Sequence, residues 1–151
     1  RREGMKRSLI VMAVLSGFAY LCIAEGTISE TKDIRGSVAK YVLSWTASTN
    51  GIVSGETTSF YVRGEIARTI LSGTSTGATY SLTLKDSAGV DALAGRGSAV
   101  ATNAVYSFVP GAGITDGVST SLVPVAVSDI LTLDVTVAGS NRTGSVTLYV
   151  K

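Results

Sequence analysis

Histidine is absent from the chain, and cysteine occurs only once, at Cys22. The Ser/His/Asp and Cys/His arrangements both need a histidine, so the two commonest ways of activating a nucleophile are excluded. A single cysteine also excludes an intramolecular disulfide, a CxxC metal site and a redox pair. The sequence therefore predicts a protein that is not an enzyme and that carries no catalytic residue, cofactor or metal centre.

Glutamine is absent too, and the helix formers Glu, Lys and Met are scarce, whereas Val, Thr, Ser, Gly and Ala dominate. β-Branched residues favour strands, while the scarce residues are those that favour helices. A hydrophobic content of 45% with 16% charged residues over 151 positions is typical of one folded domain. The composition predicts an all-β domain.

A basic and then apolar segment opens the chain. Lys6 and Arg7 precede an apolar run over residues 9–21, and the small residues Cys22 and Ala24 suit cleavage before Glu25. This pattern predicts an N-terminal hydrophobic leader helix that directs export or anchors the protein in a membrane. The predicted division of the chain has four parts. Residues 1–4 are translated sequence upstream of the true start at Met5, and residues 5–24 are a signal peptide or membrane anchor that contacts the membrane through 9–24. Residues 25–36 are a flexible arm, and residues 37–151 are the domain.

The basic charge of the chain belongs to the leader. Residues 1–24 hold four basic residues and one acidic residue, so without them the net charge falls from +2 to −1. A domain without a cationic surplus cannot neutralise many phosphates. We therefore expect that the domain does not bind nucleic acid.

Alternating apolar and polar residues predict short strands along the rest of the chain. A tight turn is predicted at Asn50-Gly51, a Gly-rich loop at 110–117, and a hairpin, AGSNRTG, that joins the last two strands as an antiparallel pair. This spacing favours an antiparallel β-sandwich, jelly-roll or Ig-like, with a barrel as the second choice and Trp45 in the core. The predicted strands span 38–47, 57–63, 66–71, 79–85, 103–109, 122–127, 131–137 and 146–150.

The stretch DSAGVDALAGRGSA, at residues 86–99, is the strongest candidate for chemistry. It lacks the Lys-Ser/Thr ending of a phosphate-binding loop, which excludes that function. Asp86 and Asp91 are candidate calcium ligands and a candidate acid/base pair, but their spacing does not match an EF-hand. The favoured interpretation is strand, turn and short strand, with both carboxylates as turn residues.

Two other groups of side chains were candidates for binding. Glu65 stands near Arg63 and Arg68, and a surface charge cluster is the favoured interpretation there. Five tyrosines could form an aromatic surface for carbohydrate, but their scatter over several strands favours packing in the core and between strands. These tyrosines are Tyr41, Tyr61, Tyr80, Tyr106 and Tyr149.

Five segments in order carry a resemblance to a known class of proteins: YVLSW, the Asn-Gly turn, VRGEIARTIL, TYSLTLKDSAGVDALAGRG and the final LTLDVTVAG…GSVTLYVK. In this order the chain resembles small virion-associated proteins from the structural-gene clusters of tailed bacteriophages, over most of residues 38–151. The resemblance implies a β-rich structural protein of the virion, such as a capsid decoration or fibre-like component. It implies capsid or tail proteins as partners and assembly into trimers or larger arrays, and it transfers no active-site residue.

A secreted or cell-surface protein is the alternative that the leader favours. A bacterial adhesin, a filament subunit or a carbohydrate-binding module would need export, whereas phage particles assemble in the cytoplasm. In either setting, exposed Ser/Thr-rich faces suit packing between subunits through many polar contacts, and edge strands offer backbone groups to a neighbour.

Overall fold

The computed structural model of the chain describes residues 25–115 and 120–151, with the backbone alone for 112–115 and 120–122. These residues form twelve strands and no helix, and every strand pair among them is antiparallel. The all-β, antiparallel prediction is confirmed. The predicted leader helix falls at residues 5–24, outside the described residues. Within the described part of the chain, no helix is long and apolar enough to span a membrane.

The strands form a large sheet, a small sheet and a two-stranded ribbon. The large sheet has the order β1-β2-β12-β4-β10, with β7 also paired to β4; the small sheet has the order β3-β11-β5-β6; β8 and β9 form the ribbon. The strands are β1 (Thr27–Arg35), β2 (Val38–Thr46), β3 (Val53–Thr57), β4 (Val62–Gly73), β5 (Thr79–Lys85), β6 (Val100–Ala101), β7 (Val105–Phe108), β8 (Gly111–Thr115), β9 (Thr120–Pro124), β10 (Ala126–Asp129), β11 (Thr132–Thr136) and β12 (Thr143–Val150).

Both main sheets bury one face in the same hydrophobic core. Successive side chains of a strand point to opposite faces, so a strand with one buried face alternates apolar and polar residues. The predicted alternation in 79–85 and 146–150 is confirmed, because the inward side chains of β5 and β12 are buried, whereas the residues between them are half-buried or, at Thr79, exposed. The inward side chains of these two strands are Tyr80, Leu82, Leu84, Val146, Leu148 and Val150.

Trp45 is the largest side chain in this core. It is 1% exposed and packs against the Tyr80 ring with 5.5 Å between ring centroids. Gly144 and Gly73 lie beside it across the ladder, and a Cβ added to them would stand 2.3 Å and 2.8 Å from Trp45 Cζ2. The indole therefore occupies the space that two missing side chains leave open.

The prediction of a flexible arm at 25–36 is wrong for β1. All nine residues of Thr27–Arg35 pair with β2, and the Glu30 carboxylate accepts hydrogen bonds from the amide and hydroxyl of Ser59. The polar composition of 25–36 suggested an arm because the outward side chains of this edge strand are exposed to solvent. Backbone pairing, which needs no apolar side chain, makes it a strand.

The predicted division of 57–71 into two strands is also wrong. β3 ends at Thr57, and β4 runs without a break from Val62 through Gly64 to Gly73. Gly64 has φ +136°, and a Cβ there would stand 2.5 Å from the Lys151 carbonyl oxygen. Glycine at this position lets β4 pass close to the end of β12, so it shapes the strand instead of ending it.

The last two strands do not form a hairpin. β11 pairs with β3 and β5 in the small sheet, whereas β12 pairs with β2 and β4 in the large sheet. The apolar-polar alternation of Leu131, Leu133, Val135 and Val137 predicts a shared buried face, but Val137 is 70% exposed and has φ +63°. The chain turns there and crosses from one sheet to the other, with Ala138 buried at the crossing.

The segment between β7 and β10 forms a ribbon, in place of the predicted Gly-rich loop and single strand 122–127. β8 pairs with β9, and Val125 separates β9 from β10. β7 pairs with residues 69–72 and β10 with residues 62–65 of β4, both on the edge opposite β12. The two strands therefore lie one after the other along β4, and the ribbon leaves the sheet between them.

We expect Gly73→Ala and Gly144→Ala each to lower the free energy of unfolding by about 1–3 kcal/mol, because the added methyl must displace the Trp45 indole. Urea denaturation followed by Trp45 fluorescence measures the change. Gly77→Ala is the matched control, since the nearest heavy atom to its Cβ would lie 3.8 Å away. Equal effects at all three positions would contradict this account of the core.

Candidate functional site

Asp91 organises the stretch that the sequence marked for chemistry. Its carboxylate accepts hydrogen bonds from the backbone amides of Leu84 (3.1 Å), Leu93 (3.1 Å) and Gly95 (2.8 Å). Leu93 is fully buried, so these bonds fix a compact series of turns against β5 before β6 begins. The predicted turns are present, but the strands predicted within 86–99 are not: β5 ends at Lys85, β6 begins at Val100, and Asp91 forms only an isolated bridge with Lys85.

Asp86 and Asp91 serve different turns. Asp86 Oδ1 accepts the amide of Val90 at 2.8 Å and closes the turn that follows β5. Among the described residues, no group of three or more His, Cys, Asp or Glu side chains is placed to hold a metal ion. Both oxygens of Asp91 already accept backbone hydrogen bonds, which gives this carboxylate a structural task.

Asp129, which the sequence did not single out, ties the same turn to the large sheet. Its carboxylate accepts hydrogen bonds from the hydroxyl and the amide of Ser87, and from the amide of Ile130 at 2.8 Å. The Ser87 hydroxyl, then the two amides, hold the pKa of Asp129 below its ordinary value. No local sequence signal identifies this contact, because its two partners are 42 residues apart.

A groove of about 440 Å³ separates this loop from the edge of the large sheet. Gly95, Arg96 and Ser98 line one wall, and the β7 residues Tyr106 to Phe108 line the other. Tyr106 is 41% exposed, and Arg96 is also exposed, so the groove offers an aromatic ring and a guanidinium to solvent. This pair of groups suits a ligand that combines an apolar ring face with hydrogen-bond acceptors.

Tyr80 does not supply acid/base chemistry at neutral pH. Burial, and secondarily the charge of Tyr106, raise the pKa of Tyr80 to about 12. Its hydroxyl makes no hydrogen bond to another group in the described residues and stands beside Gly73. The phenol therefore stays protonated and acts as a packing partner of Trp45.

The outward face of the large sheet carries rows of hydroxyl groups, named here the hydroxyl face. The ladder aligns threonines in one row across β1, β2 and β12, and aligns serines in a second row that continues onto β4. In the second row, the Ser72 and Ser145 hydroxyl oxygens are 3.0 Å apart and share a hydrogen bond. The rows are Thr27, Thr46 and Thr143, then Ser29, Ser44, Ser145 and Ser72.

A shallow depression of about 420 Å³ crosses the hydroxyl face. The predicted Ser/Thr-rich outer surface is therefore present, but its order could not be predicted. The serines and threonines come from strands that are distant in the sequence, and only the register of the ladder brings them side by side.

Charged groups occupy the other end of the same face. Arg68 lies 5.9 Å from the centroid of the Tyr149 ring and donates a hydrogen bond to the Ser107 hydroxyl. Glu65 pairs with Lys151 at 3.2 Å. The predicted cluster with Arg63 and Arg68 is therefore wrong in its partner, because the close approach of β4 at Gly64 to Lys151 brings that lysine beside Glu65.

The five tyrosines do not form one platform. Tyr41 and Tyr80 are buried, whereas Tyr106 lines the groove and Tyr149 lies on the outward face of the large sheet. Tyr61 is 53% exposed, and its hydroxyl donates to the Ser128 carbonyl at 2.5 Å. Packing therefore accounts for the two buried rings, whereas Tyr106 and Tyr149 each line a surface groove.

We expect Asp91→Asn to lower the free energy of unfolding by about 1–3 kcal/mol, because an amide group cannot accept all three backbone hydrogen bonds. Asp86→Asn is the matched control and should cost less, since it affects one exposed bond. Thermal melting with millimolar calcium and with EDTA should give the same Tm. A calcium-dependent rise that Asp91→Asn abolishes would restore the calcium hypothesis.

We expect Ser87→Ala to raise the pKa of Asp129 towards its ordinary value, and Ser54→Ala on β3 to leave it unchanged. A carboxyl group whose pKa is lowered on folding stabilises the fold above its unfolded pKa. That contribution is lost as the pH falls through the folded pKa, so the turn should loosen only in strong acid. NMR titration of the Asp129 carboxyl carbon measures its pKa in both variants. An unchanged pKa in Ser87→Ala would contradict the assignment of the lowered pKa to the Ser87 hydrogen bonds.

Comparison with known proteins finds no matching family, no similar characterised protein and no similar solved structure.

Proposed function

We propose that the chain is a non-catalytic structural protein, built as a β-sandwich and carried in the virion of a tailed bacteriophage as a capsid decoration or fibre-like component. The observation that carries the proposal is the hydroxyl face, a broad and ordered surface of short polar side chains. The resemblance of residues 38–151 to virion-associated phage proteins supports the same role.

The sandwich interpretation is supported by the connections between strands. The chain passes from the large sheet to the small sheet between β2 and β3, returns at β4, and crosses again at β5. Apolar residues from both sheets belong to one buried cluster. Two antiparallel sheets that share a core and exchange strands in this way fit a sandwich better than a barrel.

The hydroxyl face has the physical properties of a surface that packs against another protein. Serine and threonine side chains are short, so ordering them at an interface costs little conformational entropy. Each hydroxyl both donates and accepts, so the surface can satisfy backbone and side-chain groups of a partner. A stable interface buries roughly 800 Å² on each partner, which a four-stranded face of this kind can supply.

The partners that this proposal implies are capsid or tail proteins and further copies of the chain. Virion components repeat around symmetry axes, so trimers or larger arrays fit the role. Contacts spread over many hydroxyl groups suit such arrays, because no single contact has to hold the whole interface.

A secreted surface-binding module is the second candidate function, and the groove favours it. Tyr106 presents an aromatic ring on which a sugar could stack, and Arg96 stands across from it with hydrogen-bond donors. In this alternative the protein is an adhesin, a filament subunit or a carbohydrate-binding module, and the leader directs its export.

Mass spectrometry of gradient-purified phage particles tests the first proposal. We expect the chain to remain with the particles through the gradient, at a fixed ratio to the major capsid protein. Ser44→Arg combined with Thr46→Arg places bulky charges on the exposed hydroxyl face and should reduce incorporation at least tenfold.

Ser54→Arg, at an exposed site on the small sheet, is the control and should be incorporated like the unmodified chain. Circular dichroism checks that all variants fold. Particles that lack the chain would overturn the proposed virion role, and equal incorporation of all variants would overturn the hydroxyl face as the surface that contacts other virion proteins.

A glycan array with and without calcium tests the second candidate. Selective binding that Tyr106→Ala abolishes would favour the surface-binding module. The N-terminus of the native protein adds a second measurement, because export with cleavage predicts a chain that begins at Glu25.

A further inference from the structure

β1 is a nine-residue strand at one edge of the large sheet. All nine of its residues pair with β2 without a bulge, and in the described part of the chain no strand pairs with its other edge. A long, regular edge is a template for another strand. We propose that the β1 strands of two copies of this chain pair antiparallel about a two-fold axis at Thr31, which joins their large sheets.

The backbone groups at this edge can be assigned from the ladder. The amide of Ala47 donates to the Arg142 carbonyl, so it points towards β12. Backbone groups alternate in direction along a strand, so the even-numbered residues of β2 face β1. Their partners are the odd-numbered residues of β1. The amides and carbonyls of the even-numbered residues are therefore free at the edge: Ile28, Glu30, Lys32 and Ile34.

The order of side chains in β1 is complementary to itself. Pairing about Thr31 places each residue opposite the one equally far from Thr31 in the second copy. Glu30 then lies opposite Lys32 of the second copy, and Ile28 lies opposite Ile34 of the second copy. Opposite charges and paired apolar residues directly across a ladder both stabilise it. The same pairing sets every free amide opposite a free carbonyl.

Neighbouring registers lack this complementarity. A two-fold axis at Glu30 would set Glu30 against its own copy and Ile28 against Lys32. An axis at Lys32 would set that ammonium against its own copy. Like charges directly opposite one another destabilise a ladder. Sliding one β1 strand past the other by a single residue would instead turn its side chains to the opposite face of the sheet. The sequence of β1 thus favours one register.

The exposure of the β1 side chains agrees with an edge that a second copy covers. Ile34 is 62% exposed, although it lies on the inward face of the sheet, and Lys32 reaches over the Tyr41 ring at 5.1 Å. In the proposed pairing, Ile28 of the second copy covers Ile34. The exposed apolar residue thereby acquires a partner that the single chain does not give it.

This inference deepens the proposed function and rests on it, because it names the surface through which a structural subunit meets a second copy. The two can fail separately. A chain that enters particles but is monomeric when purified would contradict the β1 pairing alone, and a β1-paired dimer that is absent from particles would contradict the virion role alone.

Cysteine cross-linking of the full chain tests the register. Thr31 would face itself across the axis at a non-hydrogen-bonded pair, where Cβ atoms stand about 4.5–5.5 Å apart. In a Cys22→Ser background, Thr31→Cys should form a disulfide-linked dimer under mild oxidation. Asp33→Cys is the matched control and should not, because its copies would be four residues apart along the paired strands.

Charge reversal with rescue tests the contacts. Lys32→Glu sets glutamates opposite one another and should weaken the dimer about tenfold or more in sedimentation equilibrium. Glu30→Lys added to Lys32→Glu restores opposite charges and should recover dimerisation even though it removes the hydrogen bonds from Ser59 to Glu30, whereas Lys40→Glu on β2 should leave the dimer unchanged. A monomeric unmodified chain would overturn the proposal. So would a dimer that Lys32→Glu does not weaken, or one that cross-links equally through residues 31 and 33.

Discussion

The packing of Trp45 is the constraint on which the rest of the structure depends. The indole lies on β2, and the space for it exists only because β12 and β4 each place a glycine beside it. Tyr80 closes the space from the small sheet. Residues from four strands, separated by up to about a hundred positions in the sequence, must therefore meet before this side chain is buried. These packing contacts fix the position of the two sheets relative to each other.

The elements that the sequence predicts well are those that contact the core on one side. In β5 and β12 the alternation of Leu, Val and Tyr with Ser and Thr is long enough to give both the strand and its buried face. The turn chemistry of Asp91 is also visible, since aspartate followed by small residues is typical of tight turns. In each case the information lies within a few neighbouring residues.

The elements that the sequence misses depend on partners elsewhere in the chain. β1 has a polar pattern, and only its pairing with β2 makes it a strand. β11 and β12 are neighbours in the sequence, yet their apolar faces belong to opposite sides of the core, so a short connection crosses between sheets. The contact of Asp129 with Ser87 likewise follows from how the sheets meet. Local sequence patterns do not predict these pairings between distant residues.

The arrangement of β7 and β10 along β4 has a consequence for how this molecule can vary. The chain leaves the edge of β4 after Phe108 and returns to the same edge near Ala126, so both ends of the intervening ribbon are anchored a short distance apart. The pairs of β4 with β7, β10 and β12 set its register in the large sheet, and none of these strands belongs to the ribbon. Foreign peptides grafted there would be displayed on a scaffold whose folding they do not control.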